Sequence, residues 1–203
     1  MSPRKAAALR HTEDGRSLRE HLIDTAADLI SAHGTAELTV RAIARAAGVA
    51  DGVLYNHFTD KEELLADALA EHVRRVEAGL GELPEPGSAT VEANLRAQLA
   101  YGLALHKEIL PAFAGLLARP VVLARFGERA GDGESWRDRL AGYLRAEKEL
   151  GRLDGDVGVA AAILAGVCHE TVLSRLLPHG PAVTRSPEVE AVVKTVLEGI
   201  AAR

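Results

Sequence analysis

Glycine and proline divide this sequence into segments in which apolar residues recur at three- and four-residue spacings. In the first segment the pattern runs through Leu18, Leu22, Ala26 and Leu29 and stops at Gly34. This spacing places the apolar side chains on one face of a helix, and glycine is the usual residue just beyond a helix C-terminus. No stretch shows the two-residue alternation of a half-buried strand. We therefore predict an all-α fold.

The same reasoning sets the other helices and the domain boundaries. Further helices are predicted at about 40–47, 51–58, 61–79, 89–109, 111–118, 121–129, 134–150, 157–177 and 187–202. Pro111 and Pro120 are expected to lie in breaks between helices. The polar residues 1–15 are expected to be a disordered arm. A linker near residues 81–88, which holds two prolines, predicts one domain at 16–77 and a second at 78–203.

Charge and cysteine content limit the class of protein. The 203 residues carry a net charge of −5, whereas a protein that coats nucleic acid without specificity is strongly basic. Any contact with DNA must therefore be local. The single cysteine, Cys168, allows no internal disulfide, and this fits a reducing cytoplasm. The apolar stretch Val157–Cys168 is judged too short to cross a bilayer, so a cytoplasmic protein without membrane contact is expected.

Residues 39–58 have the pattern of a helix-turn-helix. Thr39 is a suitable N-cap for the first helix, and Gly48 supplies the left-handed backbone that a tight turn requires. Val49 fills the space between the two helices. The side chains expected to face inward are Ile43, Ala44, Ala47, Val53, Leu54 and Phe58. The second helix of such a motif lies in the DNA major groove.

The run from Thr39 to Leu64 closely resembles the signature of the TetR family of transcriptional regulators. The positions in register are Leu54, Tyr55, His57, Phe58, Lys61, Glu62 and Leu64. The resemblance covers about residues 17–77 and implies an N-terminal three-helix DNA-binding domain joined to a helical effector-binding and dimerisation domain. One departure is Ala50, which stands where the family has serine or threonine. Alanine cannot cap a helix, so Asp51 either becomes the cap and shifts the helix start by one residue, or contacts a base.

The resemblance also implies the roles of the outward-facing side chains. Arg41 is expected to reach a base edge or a phosphate, and Asn56 has the chemistry to pair with adenine. Lys61, at the start of the next helix, is expected to bind phosphate. The full set of expected DNA-binding residues is Thr39, Arg41, Asp51, Gly52, Tyr55, Asn56 and Lys61.

The resemblance implies that the last two helices form a four-helix bundle between the two subunits of a homodimer. Both carry apolar stripes, and the helix at 157–177 is apolar on nearly every side, so it must be buried on more than one face. The alternative is an ordinary monomer core. The expected interface residues are Ile163, Val167, Val172, Val189, Val193, Val196 and Ile200.

The middle helices, 89–150, are expected from the resemblance to hold a small, largely hydrophobic effector. The candidate lining residues are Tyr101, Leu105, His106, Phe113, Leu117, Trp136, Leu140 and Tyr143, each of which could equally be plain core. No cofactor or metal is expected. Cys168, His169 and Glu170 are adjacent, and adjacent helical residues point in different directions, so they cannot converge on one ion.

The resemblance predicts a DNA-binding regulator, a repressor that binds a palindromic operator as a dimer and is released by its effector. Two other classes compete with it. An enzyme is disfavoured because the sequence has no glycine-rich phosphate loop, metal-ligand spacing or nucleophile elbow. A ligand-independent architectural protein is disfavoured by the acidic net charge, because non-specific binding depends on neutralising phosphates.

Overall fold

The structure is a computed structural model that describes residues 17–35, 38–130, 135–176 and 188–199. The described residues contain helices and no β-strand, which confirms the all-α prediction. In chain order the helices are α1 Leu18–His33, α2 Val40–Ala46, α3 Asp51–Leu54, α4 Lys61–Gly79, α5 Val91–Ala114, α6 Pro120–Ala130, α7 Trp136–Glu149, α8 Val157–Leu176 and α9 Val189–Glu198. The predicted disordered arm lies outside the described residues.

The chain forms two compact units. The first comprises Met1–Val76 and Pro111–Gly131, and the second comprises Glu77–Leu110 and Asp132–Arg203. The sequence analysis predicts a single boundary near residue 77, and the structure differs because residues 111–130 belong to the same unit as the N-terminal helices. Ala112, Leu116 and Val122 from this segment share one apolar core with α1 to α4.

Helix α5 runs without interruption through Pro111, so the predicted break at this residue is wrong. A proline inside a helix removes one backbone hydrogen bond and crowds the preceding turn, at about 3 kcal/mol. Packing on both sides of the proline offsets this cost, because Leu105 and Ala112 are buried. Pro120, by contrast, is the first residue of α6, where its missing N–H is not needed.

In the second unit, helices α7 and α8 pack side by side, and α9 contacts α8. A fully buried carboxylate, Glu147, joins α7 to the loop before α5. It accepts hydrogen bonds from Tyr143 Oη at 2.7 Å and from the Gly87 amide at 3.0 Å. Its other oxygen lies 3.2 Å from Nη1 of Arg152. The α4–α5 loop and the α7–α8 connection are therefore both anchored to one side chain.

Helix α8 is longer and more apolar than the sequence analysis allowed. It continues past His169 and Glu170 to Leu176, and by length and composition it could cross a membrane. The prediction of too short an apolar stretch was therefore wrong. Core helices of soluble proteins meet the same criteria. Here one face of α8 is buried in its own unit, through Leu164, Cys168 and Val172.

Candidate nucleic-acid interface

The first two helices of the motif have the predicted geometry. Thr39 is the N-cap of α2, and its Oγ1 accepts a hydrogen bond from the Ala42 amide at 3.1 Å. The chain turns at Gly48, whose φ of +70° is the left-handed conformation that glycine adopts without strain. Ile43 and Ala44 are fully buried. These features confirm the predicted cap, turn and inward face.

The recognition helix α3 is shorter than predicted. Regular helix spans Asp51–Leu54, and the chain continues as turns through His57. Ala50 is the N-cap and makes no side-chain cap bond, so Asp51 does not take over the cap and the helix start does not shift. The missing cap and the conformational freedom of Gly52 both disfavour a longer helix. Leu54 and Phe58 are buried and fix the segment to the core.

The side chains that the sequence assigned to the outer face are exposed together on this short segment. Gly52, Tyr55 and Asn56 are exposed, and none of them is needed by the core. Arg41 from α2 lies with its Nε 3.4 Å from Oδ2 of Asp51. Both partners are exposed, and ion pairs of this kind contribute little to stability. The ion pair can therefore be broken and replaced by contacts with a ligand at little cost in free energy.

The start of α4 is fixed by reciprocal hydrogen bonds. The Glu63 amide donates to Oδ1 of Asp60 at 2.8 Å, while the amide and Oγ1 of Thr59 donate to Oε2 of Glu63 at 2.7 and 2.8 Å. A bidentate interaction with Arg125 and the bond from the Glu63 amide lower the pKa of Asp60. The turn that carries Lys61 is therefore held in place on both sides.

The arginines that hold this turn come from distant segments. Arg125 and Arg129 of α6 pair with Asp60 and Asp67 respectively, and Arg19 of α1 donates to Oδ2 of Asp67 at 2.5 Å. Sequence reasoning missed this role of α6. No local signal predicts it, because Arg125 and Asp60 are 65 residues apart.

Lys61 is a partly desolvated cation. Burial of its amine, together with the positive charge of Arg119, lowers its pKa. Among the described residues Lys61 forms no ion pair. An unpaired cation at the N-terminus of a 19-residue helix is suited to bind an anion, since the helix dipole acts in the same direction.

The predicted effector-binding residues divide between the two units. Leu105, His106, Trp136, Leu140 and Tyr143 are buried in the second unit, with Tyr101 half-buried beside them. The remaining two belong to the first unit. There Phe113 packs edge-to-face on Phe126, and the side chain of Leu117 is 72% exposed.

Trp136 packs closely against α5 in the interior of the second unit. The His106 ring meets the Trp136 ring edge-to-face, with centroids 5.3 Å apart, and the centroid of the His169 ring lies 4.7 Å from that of His106. Burial lowers the pKa of His106, so its ring is neutral at pH 7. Gly102 gives the tryptophan its space, because a Cβ built there overlaps the indole ring.

We expect Gly102→Ala to destabilise the protein and to move the indole. Alanine gains about 0.5–1 kcal/mol over glycine in a helix, but overpacking a core costs about 1–3 kcal/mol. The net free energy of unfolding should fall by roughly 1–2 kcal/mol. Denaturant unfolding measures this change, and the emission of Trp136, the only tryptophan, should shift in the native state. Gly127→Ala within α6 is the matched control, because no atom lies near a Cβ there; equal effects of the two changes would contradict the predicted overlap.

The predicted interface residues are not all exposed. Val193 is fully buried and Val172 nearly so within their own chain, whereas Ile163 is 50% exposed. Val167, Val189 and Val196 are half-buried, and Ile200 lies outside the described residues. The exposed apolar face of α8 comprises Val159, Ile163 and Leu173, with Gly166 and Glu170 between them. Cys168 is buried while His169 and Glu170 are exposed, so these three side chains diverge.

The chain is similar to known transcriptional regulators along most of its length. The family model described as "Bacterial regulatory proteins, tetR family" matches residues 22–68, which include α2 and α3. The HTH-type transcriptional repressor KstR2 of Rhodococcus jostii is 27% identical over 186 residues, with 90% of this chain and 91% of the relative covered.

Solved structures extend the similarity to the fold. The TetR family transcription regulator SCO0332 is 26% identical, with a TM-score of 0.58 over 91% of this chain and 98% of its own. The regulator FadR of Bacillus subtilis, solved in complex with stearoyl-CoA, is 22% identical, with a TM-score of 0.58 over 90% of this chain and 99% of its own. At this identity the likeness to FadR shows the fold alone.

Proposed function

Because this chain belongs to the TetR family of transcriptional regulators, we propose that it is a cytoplasmic repressor, and not an enzyme, that binds a palindromic operator as a homodimer. The observation that carries the proposal is the joint exposure of Gly52, Tyr55 and Asn56 on a segment whose other side is fixed to the core. An exposed tyrosine and asparagine in the turn directly after α3 can read base edges, because asparagine pairs with adenine through two hydrogen bonds.

The phosphate contacts are proposed to come from the ends of helices. Lys61 at the start of α4 meets one phosphate, and Arg41 and Thr39 at the start of α2 meet another. A phosphate would give the Lys61 amine the opposite charge that it lacks in the described part of the protein. Asp51 is proposed to lie at the groove, and its pairing with Arg41 exchanges for contacts with DNA.

We expect Lys61→Gln to weaken operator binding uniformly across sequences. Each lost phosphate contact lowers the slope of log affinity against log salt by about 0.9, so the slope should fall by about one unit per subunit. The measurement is a salt titration on an operator selected from random DNA and on a scrambled sequence. Lys107→Gln removes an equal charge from an exposed site in the second unit and is the control. An unchanged slope for Lys61→Gln would remove Lys61 from the interface.

The same titration separates the proposed function from an architectural role. A sequence-specific repressor prefers its selected operator to scrambled DNA by a large factor at physiological salt. A binder that depends on phosphate contacts alone has nearly equal affinity for both sequences.

The dimer is proposed to form through the exposed face of α8 with support from α9. Val159, Ile163 and Leu173 lie within one stripe of the helix, and Gly166 lies at its centre, where the absence of a side chain permits close approach of a second helix. Exposed apolar stripes of this length mark protein contacts in soluble chains. A dimer places two copies of α3 on successive turns of DNA, about 34–36 Å apart.

The effector is proposed to bind among α5, α7 and α8 of the second unit. The support is the mixed environment around Trp136, with the apolar Leu105 and Leu140 and the neutral His106. A protein with the same fold binds stearoyl-CoA. An effector that weakens operator binding must itself bind more weakly when the operator is present, by the same factor.

A further inference from the structure

A polar stripe runs along one face of α5 in the interior of the second unit. Gln98, Gly102 and His106 follow one another at four-residue steps, so they lie above one another on the helix. Trp136 faces this stripe, since its indole covers Gly102 and contacts the His106 ring. Only 2% of Gln98 and 3% of Trp136 are exposed.

Two polar atoms in this group lack partners. Within the described part of the chain, Nε1 of Trp136 and Oε1 of Gln98 are buried and make no hydrogen bond. Their neighbours on α5 differ from them. Asn94, one turn earlier, donates to the Glu85 carbonyl, and His106 Nδ1 donates to the Gly102 carbonyl at 2.6 Å.

Buried polar groups are almost always hydrogen-bonded, because an unpaired one loses its water without compensation. One unpaired donor and one unpaired acceptor within a single buried group therefore require an explanation. The stripe and Trp136 contribute no charged side chain, because His106 is neutral. A charged ligand group would thus be desolvated there without a counter-ion, which is strongly unfavourable.

We propose that the effector is an otherwise apolar molecule with an uncharged hydrogen-bonding group, such as a carboxamide or an alcohol, that accepts from Trp136 Nε1 and donates to Gln98 Oε1. This inference rests on the proposed effector site and adds one uncharged polar group to the expected, largely hydrophobic effector. Trp136 and Gln98 then determine specificity, because a hydrocarbon of the same shape leaves both of them unpaired.

The first test needs no ligand. Gln98→Met keeps the volume of the side chain and removes the unpaired amide oxygen, so the thermal midpoint of the ligand-free protein should rise, by roughly 2–4 °C. Asn94→Leu is the matched control one turn away, and it should lower the midpoint because Asn94 is bonded. If Gln98→Met leaves the midpoint unchanged or lowers it, the amide already has a partner in solution and the inference is overturned.

The second test measures binding through Trp136 fluorescence. A panel of carboxamides is titrated, each paired with the hydrocarbon in which an isopropyl group replaces the carboxamide; benzamide and cumene are the smallest pair. The wild-type protein should bind the carboxamide at least about tenfold more tightly, which corresponds to about 1.4 kcal/mol. Gln98→Met should lose most of this preference. Equal affinity within every pair, or no binding of any carboxamide, contradicts the inference.

Adding operator DNA tests the polar effector and the proposed repressor function separately. If hydrocarbons release the operator and carboxamides do not, the proposed function stands and the polar effector is wrong. If carboxamides bind with the expected preference but leave operator affinity unchanged, the polar site stands and release by an effector is wrong. Release by carboxamides, weakened by Gln98→Met, supports both.

Discussion

Replacing Ile163 by aspartate should convert the dimer to monomers. The side chain is half-exposed in the protomer and lies on the apolar face of α8 beside Gly166. A two-fold interface repeats each change, so the substitution brings two carboxylates into an apolar contact. Burial of unpaired charge costs several kcal/mol, and the dimer dissociation constant should rise by about a thousandfold or more. Light scattering across a concentration series measures this change.

Val121→Asp provides the control for Ile163→Asp. Val121 has a similar exposure but lies on α6 in the first unit, so its replacement should leave the dimer intact. Circular dichroism should show full helicity for both variants, because neither position is buried in the protomer. Ile163→Asp should also lose most operator affinity, since a monomer reads one half-site. A wild-type chain that is monomeric at micromolar concentration, or a dimeric Ile163→Asp variant, would contradict the interface.

The sequence is a good guide where structure is local. Thr39 as a cap, Gly48 in the left-handed conformation and Ile43 in the core all follow from the residue and its near neighbours, and all three are confirmed. The outer face of α3 was predictable for the same reason, because helical spacing alone separates Leu54 from Tyr55 and Asn56. The length of α3 was not predictable, since the uncapped start at Ala50 competes with core packing at Phe58.

The spacing of apolar residues does not show whether a helix face is buried within its own chain or against a second subunit. Val193 and Ile163 both belong to apolar stripes, yet Val193 is fully buried in its own chain and Ile163 is half-exposed. A charge at Val193 would therefore unfold the protomer, and loss of the dimer would follow without testing the interface. The sequence also does not indicate that the segment Pro111–Gly131 belongs to the first unit. It depends on contacts such as Arg125 with Asp60, which span 65 residues.

Buried polar groups were the other feature that the sequence analysis missed. Glu147 lies at helical spacing from Leu140, Tyr143 and Leu144, and the structure buries it completely with them, but the sequence analysis did not single it out. Burial alone raises the pKa of its carboxyl. The hydrogen bonds from Tyr143 and from the Gly87 amide, with the charge of Arg152, outweigh burial and hold the pKa below its ordinary value. The ionised form is therefore the one that stabilises the fold.

Glu147→Ala should lower the free energy of unfolding by about 3–5 kcal/mol, because it leaves the charge of Arg152, the Tyr143 hydroxyl and the Gly87 amide without their shared acceptor. Glu147→Gln keeps one acceptor oxygen and should cost less, about 1–3 kcal/mol. Glu149→Ala on the exposed side of α7 is the matched control and should be nearly neutral. Denaturant unfolding with far-ultraviolet circular dichroism measures all three.

The pH dependence of the Glu147 variants separates ionisation from packing. Because folding lowers the pKa of Glu147, its contribution is complete above the unfolded value of about 4.3 and is lost as pH falls through the lower folded value. The stability gap between the wild type and Glu147→Gln should thus be constant from about pH 6 upward and should narrow below about pH 4. A gap that does not change with acid would mean that Glu147 stabilises by its shape alone. A gap that widens would mean that the folded protein holds the neutral acid, contrary to the bonding that the Gly87 amide and Arg152 provide.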